Sequence, residues 1–398
     1  MNKAANHQVP GAVKASKGSA GEAAKLFLKL GTIAFGGPAA HIAMMHDEMA
    51  IRRRWVSEER FLDLLGAANL IPGPSSTELA IYLGYERAGW MGLILSGVCF
   101  ILPAMVMVLA LAWAYVIYGA TPHANWLLYG IKPVIVVIII QALWGLFKTA
   151  VKGPLLAAAG IAVLSLYLAG FNPITLLFGI GLLVTLIKNG SRFSRQQDTT
   201  RTGLPLFAGL GVSAGASAGI TQVPYSLTSL FMTFLKLGSV VFGSGYVLLA
   251  FLRNDFVHRL GWLSYQQILD AVAVGQFTPG PVFTTATFIG YIVGGLPGAI
   301  LATVGIFLPS FLFVAAVFPV VGLLRRSRWA SGFLDGVNVG ALGLMAGVTW
   351  QLGRAALIDW FTIVVAVLAL MLVLRFKINS AWLVLAGAIL GAAYNLLV

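Results

Sequence analysis

Leu70-Ile71-Pro72-Gly73-Pro74-Ser75-Ser76-Thr77 lies inside an apolar run, Phe61 to Gly84, that is long enough to cross a membrane. Proline cannot continue a helix and glycine adopts backbone angles closed to other residues, so Pro72-Gly73-Pro74 splits the run into two half-helices. A break at membrane depth bares N–H and C=O groups that lipid cannot satisfy. It survives only where protein or a wet cavity covers it. The second half-helix starts near Ser75. Its free N–H groups, with the hydroxyls of Ser75, Ser76 and Thr77, make a ready anion site. The pattern returns as Phe277-Thr278-Pro279-Gly280-Pro281-Val282-Phe283-Thr284, inside the run Ile268 to Val293.

The whole chain repeats around these two breaks. Phe27-Leu28-Lys29-Leu30-Gly31 matches Phe234-Leu235-Lys236-Leu237-Gly238 at an offset of 207. The same offset carries Phe35-Gly36 onto Phe242-Gly243, Arg52 onto Arg259, Trp55 onto Trp262, Asp63 onto Asp270 and Thr77 onto Thr284. After a one-residue deletion, Pro103 falls on Pro309 and Trp144 on Trp350. Similar apolar composition explains matching Leu and Val, but not proline and tryptophan in register.

Of 398 residues, 59% are apolar and 10% charged, against roughly a quarter charged in soluble domains. The expected fold is therefore an all-α polytopic membrane protein. It has two homologous helical repeats and about 12–13 transmembrane helices, broken ones included. The 26 Lys and Arg against 13 Asp and Glu fit cytoplasmic loops under the positive-inside rule. No soluble basic face offers itself to nucleic acid. The lone Cys99 excludes disulfides within the chain.

Residues 1–22 read as a disordered cytoplasmic tail and 23–187 as the first repeat. Residues 188–203 read as a basic cytoplasmic linker, 204–222 as a connecting helix and 226–398 as the second repeat. Within the first repeat, Gly36-Gly37-Pro38 breaks the run Ala23 to Met45. His46 to Arg60 reads as a short interfacial helix with Trp55 at headgroup level. If 204–222 spans, the second copy is inverted. Loop charge favours this: Arg253, Arg259, Arg325, Arg326, Arg328, Arg375 and Lys377 then fall inside, and only Arg52-Arg53-Arg54 breaks the rule. Inverted repeats with broken helices meeting near the midplane are a recurring plan of secondary transporters.

Polar groups inside the runs are functional candidates because membrane depth makes them costly. Lys29 and Lys236 divide between snorkelling and function. Asp63 and Asp270 read better as helix starts at the interface. Glu78 has no acidic counterpart, and pairing with an arginine is favoured over carrying a coupling proton. His41 follows the Gly-Gly-Pro break by one turn and faces Leu248 in the repeat. It divides evenly between packing and proton transfer. No phosphate-binding loop, His-Glu-x-x-His zinc motif or paired Asp-rich motif is present, so a membrane enzyme is the weaker class and no cofactor or metal is expected.

Phe35-Gly36-Gly37-Pro38-Ala39-Ala40-His41 followed by Pro72-Gly73-Pro74-Ser75-Ser76-Thr77 resembles the hallmark elements of the chromate ion transporter (CHR) family, and the resemblance covers nearly the whole chain after the tail. The second copy keeps Pro279-Gly280-Pro281 and Thr284 but departs at Ser244-Gly245 and Leu248. The resemblance implies efflux of chromate across the bacterial inner membrane without ATP hydrolysis, with sulfate as the nearest chemical analogue. It leaves proton coupling, a channel mechanism and a homodimer open. The candidate substrate-binding residues are Gly36, Gly37, Pro38, His41, Pro72, Gly73, Pro74, Ser75, Ser76, Thr77, Gly243, Ser244, Pro279, Gly280, Pro281 and Thr284. Lys29, Lys236, Glu78, Arg52 and Arg259 are the candidates for charge balance or coupling.

Overall fold

The computed structural model describes residues 18–35, 37–119, 121–193, 224–243, 247–318, 327–376, 378 and 380–397. Gly36, Ser244, Arg325, Arg326, Lys377, the connecting segment 204–222 and most of the tail and linker lie outside them. The described residues form fourteen α-helices.

Each repeat opens with two helical hairpins. In the first, α1 (Ala20–Ile33) begins where Ser19 Oγ accepts the Gly21 N–H at 3.1 Å. The chain bends after Phe35, with Gly37 at a left-handed φ of 75°. It then returns as α2 (Gly37–His46) and a wide π-helical turn (Asp47–Arg52). Ion pairs tie the two arms, Lys29 Nζ to Glu48 Oε1 and Arg53 Nη1 to Glu22 Oε1, each at 3.6 Å. No separate interfacial helix forms between His46 and Arg60. Trp55 is buried, with the guanidinium groups of Arg87 and Arg53 covering its ring at 4.7 and 5.7 Å.

The second hairpin is the Pro-Gly-Pro run. Helix α3 (Glu58–Ala68) leads into the bend, the two-residue strand β1 (Gly73–Pro74), and then α4 (Ser75–Tyr118). Arg60 Nε, at the start of α3, donates to Glu86 Oε1 at 2.8 Å, near the end of the first arm of α4. The run 61–84 therefore enters and returns on one side. Its arm 75–87 is roughly 20 Å long by the helical rise, short of a roughly 30 Å hydrocarbon core. At Ala88-Gly89 α4 reverses, with Gly89 at φ 62°, and the arm 90–118 runs back past the first. A side chain at Gly84 would meet the Gly92 carbonyl and Ser96, so two bare backbones make this reversal tight.

The second repeat rebuilds the same parts. Helix α8 (Leu227–Val240), strand β2 (Phe242–Gly243), α9 (Leu248–Leu252) and a π-helical turn (Arg253–Arg259) form its first hairpin. Helix α10 (Tyr265–Phe277) starts with a reciprocal Ser264–Gln267 cap. One 3₁₀ turn (Val282–Thr284) then leads into α11 (Thr285–Val317), which reverses at Gly294-Gly295.

The long arms of α4 and α11 lie side by side and antiparallel. Phe318, closing α11, sits 4.3 Å from Tyr85 at the start of the α4 reversal, and Phe311 covers Gly97. At the far end of α4, Tyr115 rests on Phe288 at 5.1 Å. The two reversals thus stand at opposite ends of one long helix pair. The repeats are inverted.

The remaining helices are α5 (Pro122–Ala150), α6 (Pro154–Leu168), α7 (Pro173–Phe193), α12 (Arg328–Ala356), α13 (Trp360–Phe376) and α14 (Ser380–Leu397). They pack crosswise between repeats: α5 on α14 and α13, α12 on α7 and α6. Glycines allow the close crossings, Gly130 against Gly387 and Gly391, and Gly336 against Gly181. Among the described residues four segments are long and apolar enough to cross a membrane: 126–150, 329–356, and 75–118 and 282–317, which each contain a reversal. Trp90, Ile94, Val98, Leu102 and Val106 form an exposed stripe along α4. Such a face suits lipid, where apolar surface needs no cover.

Candidate functional site

The bends of the four hairpins meet at the centre and are stitched across the repeats. The Gly73 N–H donates to the Val241 carbonyl at 2.7 Å, and the Gly280 N–H donates to the Ala34 carbonyl at 2.9 Å. Val241 stands at the place of Ala34, and Gly280 at that of Gly73, so this is one joint made twice. Strands β1 and β2 extend the first joint in parallel, Gly73 opposite Phe242 and Pro74 opposite Gly243. At each Pro-Gly-Pro break the glycine N–H is thus satisfied by the other repeat, as protein cover at membrane depth requires.

Around these joints the side chains differ between repeats. Helix α4 begins at Ser75 directly after Pro74 and has no side-chain cap, so its first-turn N–H groups face the centre. Ser75, Ser76, Thr77 and Glu78 are all buried there. His41 Nε2 lies 3.0 Å from the Ala34 carbonyl and Nδ1 lies 3.2 Å from Ser76 Oγ. A carbonyl only accepts, so Nε2 donates, and the neutral ring takes the Ser76 hydroxyl at Nδ1. His41 is therefore a bridge from the α4 N-terminus to the carbonyl that also holds Gly280.

Thr77 Oγ1 is buried without a hydrogen-bond partner among the described residues. Its counterpart Thr284 donates to the Pro281 carbonyl at 2.7 Å. The second break offers less to a ligand, because its helix starts with a 3₁₀ turn at Val282 and its hydroxyls are used locally. Pro38, Pro72, Pro279 and Pro281 shape the bends and bring no donor.

The charge candidates separate. Lys29 and Arg52 flank Glu48, the arginine at 4.0 Å. Lys236 and Arg259 flank Asp255 at 2.5 and 3.0 Å in the matching place. All four cations are thus held by hairpin carboxylates, not at the central bends. Glu78 has no arginine: its Oε1 accepts from Ser310 Oγ of α11 at 3.3 Å, and Oε2 has no partner among the described residues. The first arm of α4 meets the long arm of α11 here, and α11 presents a hydroxyl, not a cation. Asp63 and Asp270 lie within α3 and α10 and do not begin them. Asp270 is buried against Lys132 Nζ at 3.3 Å and the Tyr115 hydroxyl at 2.8 Å.

Sequence reasoning missed Glu48 and Asp255, though an acid recurs at the 207 offset. It also missed Lys132, a visible charge inside an apolar run whose counterpart is Asn338. Ser310 follows the matched Pro309, but its counterpart Ala104 gives no hint of a polar role.

The chromate transporter family matches residues 21–185 and 228–392, which are the two repeats. The chain belongs to that family. It is 34% identical to the chromate transport protein of Cupriavidus metallidurans over 366 residues, 92% of this chain and 90% of that one. It is 35% identical to the probable chromate transport protein of Synechococcus elongatus over 352 residues, 86% and 87% of the two chains. It is 32% identical to the chromate transport protein of Pseudomonas aeruginosa over 380 residues. No solved structure matches it. Family membership agrees with the doubled, membrane-spanning helical architecture of this transporter.

Proposed function

We propose that this transporter exports chromate from the bacterial cytoplasm across the inner membrane as a secondary carrier, and so confers chromate resistance. The observation that carries the reading is the uncapped N-terminus of α4, with Thr77 Oγ1 unpartnered beside it, held at the joint of two inverted repeats. Peptide N–H groups and a hydroxyl suit a tetrahedral dianion without the tight grip of a full cation. The membrane potential supplies drive. Two negative charges leaving a negative-inside cell gain roughly 4.6 kcal/mol at 100 mV, from about 2.3 per charge. No ATP hydrolysis is needed.

The test is chromate uptake into everted vesicles energised by respiration, with sulfate as competitor. Accumulation that an uncoupler and Pro74→Ala both abolish supports export through this site. Movement of sulfate but not chromate keeps the site and removes the substrate. No anion movement, with folded protein present, overturns the reading.

A further inference from the structure

Glu78 follows Thr77 directly and is fully buried. It lies under the Pro-Gly-Pro bend, where a side chain at Gly73 would strike its carboxyl group and the Ser310 hydroxyl. Among the described residues Ser310 is its only hydrogen-bond donor, and no lysine or arginine pairs with it. The titratable groups around it are Tyr82, one turn along its own helix, and His41 on α2, reached through Ser76. Among the described residues, α11 brings only Ser310, and none of α1, α3, β1 or β2 forms an ion pair with it. A charged carboxylate in this place faces any dianion arriving at the α4 N-terminus, and like charges in a dry interior repel strongly. A proton removes that repulsion and turns the unpartnered Oε2 into a donor toward the ligand.

We propose that Glu78 takes up a proton as the oxyanion binds, so that proton and dianion occupy the centre together. The inference rests on the oxyanion reading above. The second repeat has Thr285 in the matching place, and its hydroxyl is already given to the Val282 carbonyl at 2.8 Å. The site therefore holds one such carboxyl, and the transported unit is one proton with one dianion. Net charge moved falls from two to one, which halves the electrical drive but keeps export electrogenic.

The test is binding of radiolabelled chromate to the full-length protein in nanodiscs between pH 6 and 9, with the Glu78→Gln and Ser310→Ala variants beside it. Chromate's own titration is common to all three and cancels in ratios. Relative to Glu78→Gln, the wild type is expected to lose affinity at high pH with a limit of about tenfold per pH unit. Ser310→Ala removes a donor that favours the charged carboxylate, so its loss of affinity starts at higher pH. At a pH where free chromate is the dianion, wild-type protein in weak buffer is expected to take up about one proton more per chromate bound than Glu78→Gln. A constant affinity ratio, or chromate binding with no proton uptake, overturns the proposal and leaves the oxyanion reading intact. Absence of chromate binding by the wild type at every pH overturns the oxyanion reading and takes this inference with it.

Discussion

Gly73 is held at a φ of 136°, and any side chain there would meet Glu78 and Ser310. Gly73→Ala is therefore expected to cost about 1–3 kcal/mol of backbone strain and to displace the carboxyl beneath it. Thermal unfolding in detergent and chromate resistance in cells check the two effects separately. His41→Ala leaves the Ala34 carbonyl with the Gly280 N–H but strands the buried Ser76 hydroxyl. A loss of about 1–3 kcal/mol is expected, read by the same unfolding. The Pro-Gly-Pro residues were legible in the sequence because proline and glycine act through their own backbones. Glu78 was legible as an anomaly, but its partner was not, since Ser310 is distant in the chain and replaces an alanine. Glu48 shows a different limit, because its function lies in pairing. Its hydrogen bond to Arg53, helped by nearby Lys29 and Arg52 and opposed by burial, holds its carboxyl below the ordinary 4.5. A depressed carboxylate adds stability above its unfolded value and loses it as pH falls through the folded value. Glu48→Gln is therefore expected to lower the melting temperature at pH 6, with the difference shrinking as pH falls below 4.5 and closing once it passes the folded value.

At the scale of elements, an apolar run of 24 residues reads equally as one crossing or as two returning arms. The hydropathy of 61–84 carries no information about direction. What decides it is the bend at Gly73 and the pairing of Arg60 with Glu86, charges at the two ends of the run that meet. The sequence marks a turn at Glu86-Arg87 and ends the second run at Val293, next to the two breaks, but only the positive φ of Gly89 and Gly295 shows that the chain reverses there. The same ambiguity makes a sharp contrast inside α5. A methyl group on Gly130 would meet the backbones of Gly387 and Gly391, whereas one on Gly145 meets nothing within 4 Å. Gly130→Ala is expected to force α5 from α14 and to destabilise by about 1–3 kcal/mol. Gly145→Ala is expected to be neutral or slightly stabilising through helix propensity. Equal effects of the two substitutions in a thermal unfolding series would remove the close crossing as a determinant of the fold.

The 207-residue offset made the duplication legible at the scale of the whole molecule, but not how its halves combine. Sequence places Gly73 and Gly280 in equivalent positions. The structure makes each donate to the other repeat's first bend, at Val241 and Ala34. The peripheral helices exchange in the same way, with Gly130 and Gly336 each seated on the opposite repeat. Neither half completes the central joint alone, because the Gly73 and Gly280 N–H groups find their acceptors across the pseudo-two-fold axis. An isolated half would leave those groups facing lipid, at a cost of several kcal/mol each. The chain cut between residues 193 and 224 severs none of the described hairpins or crossings. Co-expression of 1–193 with 224–398 is therefore expected to restore chromate transport in vesicles and co-purification of the two pieces. Each piece alone is expected to give neither. Transport by one piece alone would mean that a single repeat, or a dimer of it, builds the site, and the cross-repeat joints would then be a consequence of fusion instead of a requirement for function.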